Sequence, residues 1–375
     1  MPASAVWQVV LTNLQGQMPS GFGELLQVRD LKVTDPLMRV PQATFTLPLW
    51  SGYANTILNN DCLVKVYRTS AVDGSRRLMF HGPVVSAEEN GEAGAQSIAV
   101  TAAGPLWRLS KRIIPGSDLP TDFRYPVSGE LSLGTIAQWI ITNVNGASMT
   151  GIKVGSLSGT IPTGVLATTP LKNAGEALTE LAAGLNSFEF EIVPTEPEAT
   201  GTWPYIGTMN VASSIGWVSR PNALFEYTGA GRGNVSTYQR TVSRDGMMTK
   251  GWIASADWQE PSTQHPLLVA TADNETARGR FEDVVSDGGI LDNTIRQTLL
   301  NEHIMVRKNP RQVIGFTCVP GARPSPIIDF NLGDFVRGRA VVRGSVRFDA
   351  MFRVWGITYS LVNGNEVIEL ELSPP

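Results

Sequence analysis

The chain has 375 residues, of which 17% are charged and 42% hydrophobic, with a formal net charge of −4. That length and apolar content support a sizeable core spread over two or three domains, and the acidic balance argues against a nucleic-acid-binding surface. No apolar run reaches the roughly 18 residues of a membrane span, so membrane insertion is not expected, and the residues from Met1 to Trp7 lack the basic-then-apolar order of a signal peptide.

Short β-rich runs come first. Strands are predicted over Val6 to Thr12, Leu25 to Val33, Ala43 to Leu49, Cys62 to Tyr67, Leu78 to Ala87 and Ser97 to Thr101. Asp73-Gly74 and Asn90-Gly91 stand between them, and such pairs favour the positive φ angles of tight hairpins. Val64-Lys65-Val66-Tyr67 and Ile98-Ala99-Val100-Thr101 alternate, which gives these strands one wet face. About six antiparallel strands leave edges exposed unless the sheet closes, so residues 1–112 read as a small β-barrel domain.

After Gly104-Pro105-Leu106-Trp107-Arg108-Leu109 the period changes. Leu133, Ile136, Ala137, Ile140, Ile141 and Val144 keep the spacing of an amphipathic helix that Asn145-Gly146 ends; Leu178, Leu181, Ala182 and Leu185 repeat it. Phe188 to Val193 alternates as a strand, Thr195 to Thr202 reads as an exposed loop, and Tyr205 to Val211 as another strand. Residues 113–232 therefore form a middle α+β region. Val235 to Val242 and Met247 to Ala254 follow around Asp245-Gly246 and read as a hairpin. Gly288 to Arg307, with Ile290, Leu291, Ile295, Leu299 and Ile304, reads as an inserted helix on the outside of a barrel, ended by Pro310.

The C-terminal part repeats the N-terminal part. Asp61-Cys62-Leu63-Val64 answers to Asp334-Phe335-Val336-Arg337, and Asn90-Gly91 to Asn363-Gly364, both at an offset of 273. Val84 then falls on Ile357 and Leu63 on Val336. Ala43 to Pro48 echoes Ile314 to Pro320, and Ile98-Ala99-Val100 echoes Ile368-Glu369-Leu370. A repeated unit means a repeated structural element. Val235 to Ala254 reads as the counterpart of the first two strands. Residues 233–375 are thus a second, similar β-barrel domain with a helical insertion at about 256–310, and the expected fold is mainly β with α+β insertions.

No catalytic, cofactor-binding or metal site can be assembled, and no cofactor is expected. His81, His265 and His303 lack a second ligand at metal spacing. Cys62 and Cys318 sit in apolar strands and read as buried thiols of a chain made in a reducing cytoplasm. Gly229-Ala230-Gly231-Arg232-Gly233-Asn234 resembles a phosphate cradle, but a β run rather than a helix follows, so it reads as a turn. Glu88-Glu89 and Glu369 with Glu371 are carboxylate pairs of the kind glycosidases use, but their place in hairpins fits solvated strands better. The nine tryptophans are scattered, which favours packing over a sugar platform.

These features together resemble the tail-hub proteins of long-tailed bacteriophages, siphovirus minor tail proteins of the baseplate-hub fold. The resemblance runs through Asn60-Asp61-x-Leu63-x-Lys65-Val66-Tyr67-Arg68, Phe80-x-Gly82-x-Val84 and Val100-Thr101-Ala102-x-Gly104-Pro105-Leu106. It continues through Gly233-Asn234-Val235, Gly279-Arg280-Phe281-Glu282, Leu332-Gly333-Asp334-x-Val336 and Arg353-Val354-x-Gly356-Ile357. It implies a virion structural protein of the tail tip, without enzymatic activity, in which a homotrimer presents six similar domains to a hexameric tail tube. It also implies contacts with the tail tube or distal tail ring, with other tail-tip proteins and with the tape measure protein, around a channel through which DNA passes without specific binding. Relatives extend C-terminally into hydrolases or fibres, whereas this chain stops at Ser373-Pro374-Pro375, which places such activity elsewhere. The other readings are a carbohydrate- or receptor-binding module of the tail tip, and an enzyme such as a glycosidase or peptidase.

Overall fold

A computed structural model describes residues 5–71, 73–91, 96–114, 124–126, 129–147, 150–164, 166–167, 172–183, 188–198, 204–229, 231–254, 267–286, 293–362 and 364–374. The first unit contains β1 (Val6–Asn13), β2 (Gly23–Glu24), β3 (Arg29–Pro36), β4 (Gln42–Pro48), α1 (Ala54–Asn59), β5 (Cys62–Thr69), β6 (Arg76–Asn90) and β7 (Ser97–Ala103). The middle contains α2 (Pro105–Leu109), β8 (Arg124–Tyr125), β9 (Leu131–Ser132), α3 (Leu133–Ala147), β10 (Ile152–Ser158), β11 (Thr163–Gly164), β12 (Leu166–Ala167), α4 (Ala174–Ala183), β13 (Glu189–Glu198) and β14 (Tyr205–Ala212). Then come β15 (Ser219–Tyr227), β16 (Val235–Ser243), β17 (Lys250–Ala254), β18 (Leu268–Thr271), α5 (Glu275–Arg278), β19 (Glu282–Ser286), α6 (Asn293–Arg307), β20 (Arg311–Cys318), β21 (Phe335–Val342), β22 (Ser345–Val362) and β23 (Asn365–Ser373).

Alternation builds the first unit. Ala43, Phe45 and Leu47 of β4 and Ile98, Val100 and Ala102 of β7 are buried in one core with Val9, Leu11, Val64, Val66 and Phe80. Each large apolar side chain taken fully from water contributes about 1.5–3 kcal/mol. A second core gathers Phe225, Phe316, Phe330, Val336, Phe352, Val354, Ile357 and Leu370, and Trp7 lies against both cores. The middle unit packs Ile136, Ala137, Ile140, Ile141 and Val144 of α3 and Leu178 of α4 against Phe190, Met209 and Val211 of its sheet. Leu181 is half-buried there, and Leu185 lies outside the described residues.

The repeat is written in the ladders. The order β3-β4-β7-β6 recurs as β16-β20-β23-β22, with β5 beside β6 as β21 is beside β22. Phe45 pairs with Val100 as Phe316 pairs with Leu370. The register of β6 against β7 shifts between Val84 and Ser86, and that of β22 against β23 between Val354 and Gly356. These bulges correct two expected equivalences. Val84, opposite Ala102, corresponds to Val354, opposite Leu372, rather than to Ile357. Val64, opposite Gly82, corresponds to Val336, opposite Phe352, rather than Leu63 doing so. The bulges are shared and leave the offset unchanged. Asn90 opposite Ser97 corresponds to Ser360 opposite Val367, and the β22–β23 ladder runs on to Val362 opposite Asn365, so its turn comes later along the chain and a match anchored on the turn is displaced. Asn363 lies outside the described residues.

Three further expectations are corrected. β16 pairs with β20 as β3 pairs with β4, so it is the counterpart of β3 and not of the first strand. Its hairpin with β17 does not form, because β17 pairs with β18 and β19 in a separate sheet. α6 covers that sheet rather than a barrel, burying Leu300 and Ile304 with Met248, Ile253 and Val285; Ile290 and Leu291 and the side chains of Ile295 and Leu299 lie outside the described residues. β15, within the stretch assigned to the middle region, pairs with β21 of the C-terminal sheet. It runs parallel to β21, whereas β1 in the equivalent place runs antiparallel to β5.

The fold is mainly β with α+β insertions, as expected, but the two β units are not separate closed barrels. Among the described residues neither ladder closes on itself. The edge of β3 is taken by β22 over five pairs, from Gly356 opposite Pro36 to Ser360 opposite Lys32, and this fuses both units into one 13-stranded sheet.

Candidate interaction surfaces

Three polar seams lock the units together. At the junction of the two β units, Arg68 of β5 donates to both carboxylate oxygens of Glu366 at 2.7 and 2.8 Å, and the Trp7 indole N–H donates to the same carboxylate at 3.0 Å. The Tyr359 ring lies 5.6 Å from Trp7 and 5.6 Å from the guanidinium. Burial pushes the Arg68 pKa down, but the hydrogen bonds and charge of Glu366 outweigh it and hold it above the ordinary arginine value.

The other seams lie at the two ends of β13. At its start, Glu189 receives both Arg353 Nη atoms at 2.5 Å and the Ile215 N–H at 2.7 Å. Arg353 also donates to the carbonyls of Gly333 and Ile215, between the rings of Trp217 and Trp355 at 4.7 and 4.8 Å. At the far end, Glu196 accepts from Lys65 Nζ at 3.0 Å and from the Tyr67 hydroxyl at 2.7 Å. Thr195 and Glu196 were expected in an exposed loop; instead β13 runs on through them and docks on β5 and β6.

The residues weighed as chemical sites are scattered through this framework. His81 is buried, with Nδ1 2.8 Å from the Thr195 carbonyl. A carbonyl only accepts, so Nδ1 carries the proton. Burial, opposed by that bond, brings the imidazole down to about 4. Its Nε2 has no hydrogen-bond partner among the described residues. His303 is lowered by burial and by Arg307, and His265 lies outside the described residues. Cys62 and Cys318 are free buried thiols, pushed up to about 11 and about 12 by burial, with Asp61 adding to the former. Among the described residues no three metal-binding side chains converge.

The glycine run is the connection between β15 and β16. Gly229 and Gly231 take φ of 67° and 69°, and a Cβ on Gly233 would stand 1.9 Å from the Glu226 carbonyl oxygen. Glu371 pairs with Arg39 at 2.7 Å, and Glu369 lies 3.9 Å from Lys32, so both face the junction beside β3. Asp334 is buried and holds the Arg220 Nε and the Asn331 N–H at 3.1 and 3.0 Å, whereas its sequence counterpart Asp61 is exposed.

No family model matches the sequence, and no curated protein matches it. Solved structures do. The tail protein from Neisseria meningitidis MC58 superposes with a TM-score of 0.64 over 98% of this chain and 96% of its own, at 15% identity. The 43 kDa tail protein of prophage MuSo2 from Shewanella oneidensis gives 0.62 over 98% of each chain at 12% identity. Prophage tail protein gp18 from Listeria monocytogenes EGD-e gives 0.56 over 97% of this chain and 94% of its own at 10% identity. The chain has the fold of phage tail proteins.

In this tail-protein fold the three units meet around a cleft of about 500 Å³ lined by Asp35, Arg77, Glu191, Ile357 and Tyr359 among others. Burial and then the charge of Glu191 push the Asp35 carboxyl up to about 7. The tail-protein fold also leaves single aromatic side chains at its surface. Trp50 and Trp217 are exposed, but Trp217 stacks edge-on against Phe335 and over Arg353, so the described tryptophans form no flat platform.

Proposed function

We propose that this chain is a non-enzymatic structural protein of a phage tail tip. In this reading three copies form a hub that joins the six-fold tail tube to a three-fold tip and lines the DNA channel. The supporting observation is the repeated ladder β3-β4-β7-β6 and β16-β20-β23-β22 within one chain. Three chains carrying two such units each present six nearly equivalent surfaces, while the middle region and the β17–α6 insertion occur three times. The domain division proposed is a first β unit over 1–112, a middle over 113–232 with β15 lent to the C-terminal sheet, and a second β unit over 233–375. The virion, the tail tube or distal tail ring and the tape measure protein are the proposed location and neighbours. Light scattering of the full chain and a reconstruction of the tail tip test this. The expected mass is three times 40.5 kDa around an axial channel; a dimer, six copies in one ring, or a location away from the tail refutes it.

A further inference from the structure

The junction inside the chain has two halves, and each chain carries a second copy of both that takes no partner strand among the described residues. The first half is an overhang. β22 outruns β21: it pairs with β21 from Ser345 to Arg353, and the same edge then takes β3 from Gly356 to Ser360. β6 outruns β5 in the same way. It pairs with β5 from Arg76 to Pro83, and among the described residues Ser86–Asn90 pairs only with β7. Through the shared bulge, Ser86–Asn90 is the counterpart of Gly356–Ser360. Ser86, Glu88, Glu89 and Asn90 are exposed, and neither glutamate has an ion-pair partner among the described residues.

The second half is an open strand edge. β3 offers it inside the chain, and β16 is the counterpart of β3. β16 pairs with β20 on one side and, among the described residues, with no strand on the other. Gln239, Arg240, Thr241 and Val242 are exposed. An unpaired edge of this length presents backbone donors and acceptors for another strand.

We infer that Ser86–Asn90 of one copy pairs antiparallel with β16 of the next, repeating between chains the joint that β22 and β3 make within one. The register follows from the ladders within the chain. Thr44 pairs with Lys32 as its counterpart Gly315 pairs with Gln239, so Lys32 maps to Gln239 and Pro36 to Ser243. The pairs are then Ser86 with Ser243, Ala87 with Val242, Glu88 with Thr241, Glu89 with Arg240 and Asn90 with Gln239. The register sets the Glu89 carboxylate opposite the Arg240 guanidinium, and directly opposed unlike charges stabilise a strand pair. It also covers Val242, which is 43% exposed in the single chain. Edge and overhang are different surfaces, so the contact is head-to-tail and propagates until the rotation closes a ring. Closure at three chains rests on the hub reading; the strand pairing does not.

The test uses the full chain. Ala87→Cys with Val242→Cys, under mild oxidation, is expected to link chains covalently up to a trimer. The off-register control, Ala87→Cys with Thr241→Cys, is expected not to link them. Glu89→Arg or Arg240→Glu alone is expected to weaken association about tenfold, equal to about 1.4 kcal/mol, and the two together to restore it. A trimeric mass with no in-register disulfide and no effect of the charge reversals overturns the pairing and leaves the three-chain hub standing. An in-register disulfide that yields dimers or open polymers upholds the pairing and refutes the hub. Neither association nor disulfide at any concentration, or in isolated tails, overturns both.

Discussion

Glu366→Ala is the sharpest probe of how the two β units are joined. The substitution removes the carboxylate that accepts two bonds from Arg68 and one from the Trp7 indole. The side chains of Arg68 and Glu366 are only 7% and 11% exposed, so the guanidinium left behind cannot recover its hydration. Removing one partner of a buried pair costs about 3–5 kcal/mol, and the stranded indole N–H adds about 1 kcal/mol. Denaturant unfolding followed by tryptophan fluorescence should therefore show a loss of about 4–6 kcal/mol. Arg68→Met combined with Glu366→Leu removes both charges and keeps their volume, and is expected to stay within about 1 kcal/mol of the native chain. A loss below about 1 kcal/mol for Glu366→Ala alone, the range of exposed ion pairs, would refute the reasoning that this junction is dry.

Other outcomes follow from the same interior. The Asp35 carboxyl is raised to about 7, so the folded chain holds a proton there that the unfolded chain releases near 3.8; its contribution to stability is lost as pH rises from about 4 to about 7. His81, lowered to about 4, works in the opposite sense: its contribution is present above about 6.5 and lost as pH falls toward 4. The two oppose each other, so Asp35→Asn is expected to expose a rise of stability with pH between 4 and 6.5 that His81→Gln then abolishes; an unchanged pH profile of unfolding in Asp35→Asn counts against the raised Asp35 carboxyl. Gly233→Ala drives a methyl into the Glu226 carbonyl and is expected to cost about 1–3 kcal/mol, read as a drop in Tm, whereas Gly246→Ala, with open space around it but φ of 75°, should cost about 1 kcal/mol. The thiols of Cys62 and Cys318 should resist aromatic disulfide reagents in the folded chain and both react once it is denatured; one thiol or none after denaturation would reveal a disulfide.

Strands with one dry face were legible in the sequence. Phe45 and Leu47 alternate with threonines and Ile98 and Val100 with small or polar residues, and their repeat at Phe316, Cys318, Ile368 and Leu370 matches residues that hold the same cross-strand pairing, Phe45 with Val100 and Phe316 with Leu370. Segments containing proline were not. Pro194 and Pro197 make the end of β13 read as a loop, and the stretch that forms β15, with Pro221, has no strand assigned to it from sequence. In both places the ladder skips residues, between Arg220 and Leu224 and between Pro194 and Glu198, so Pro221 and Pro197 fall where no pair is required, and Pro194 is the last residue of the regular ladder, opposite Gly207. The seams were invisible for another reason. Arg68 meets Glu366 across 298 positions and Arg353 meets Glu189 across 164, and no local pattern marks a charge whose partner lies that far along the chain.

β13 has a consequence for how the molecule comes apart. One end is bonded to Arg353 in the C-terminal sheet and the other to Lys65 and Tyr67 in the N-terminal sheet, while its own core belongs to neither. Loosening either sheet strips bonds from this strand, and loosening the strand exposes charges in both. Local opening at one end is therefore penalised at the other, and the three cores are expected to melt as one cooperative body in a single calorimetric transition.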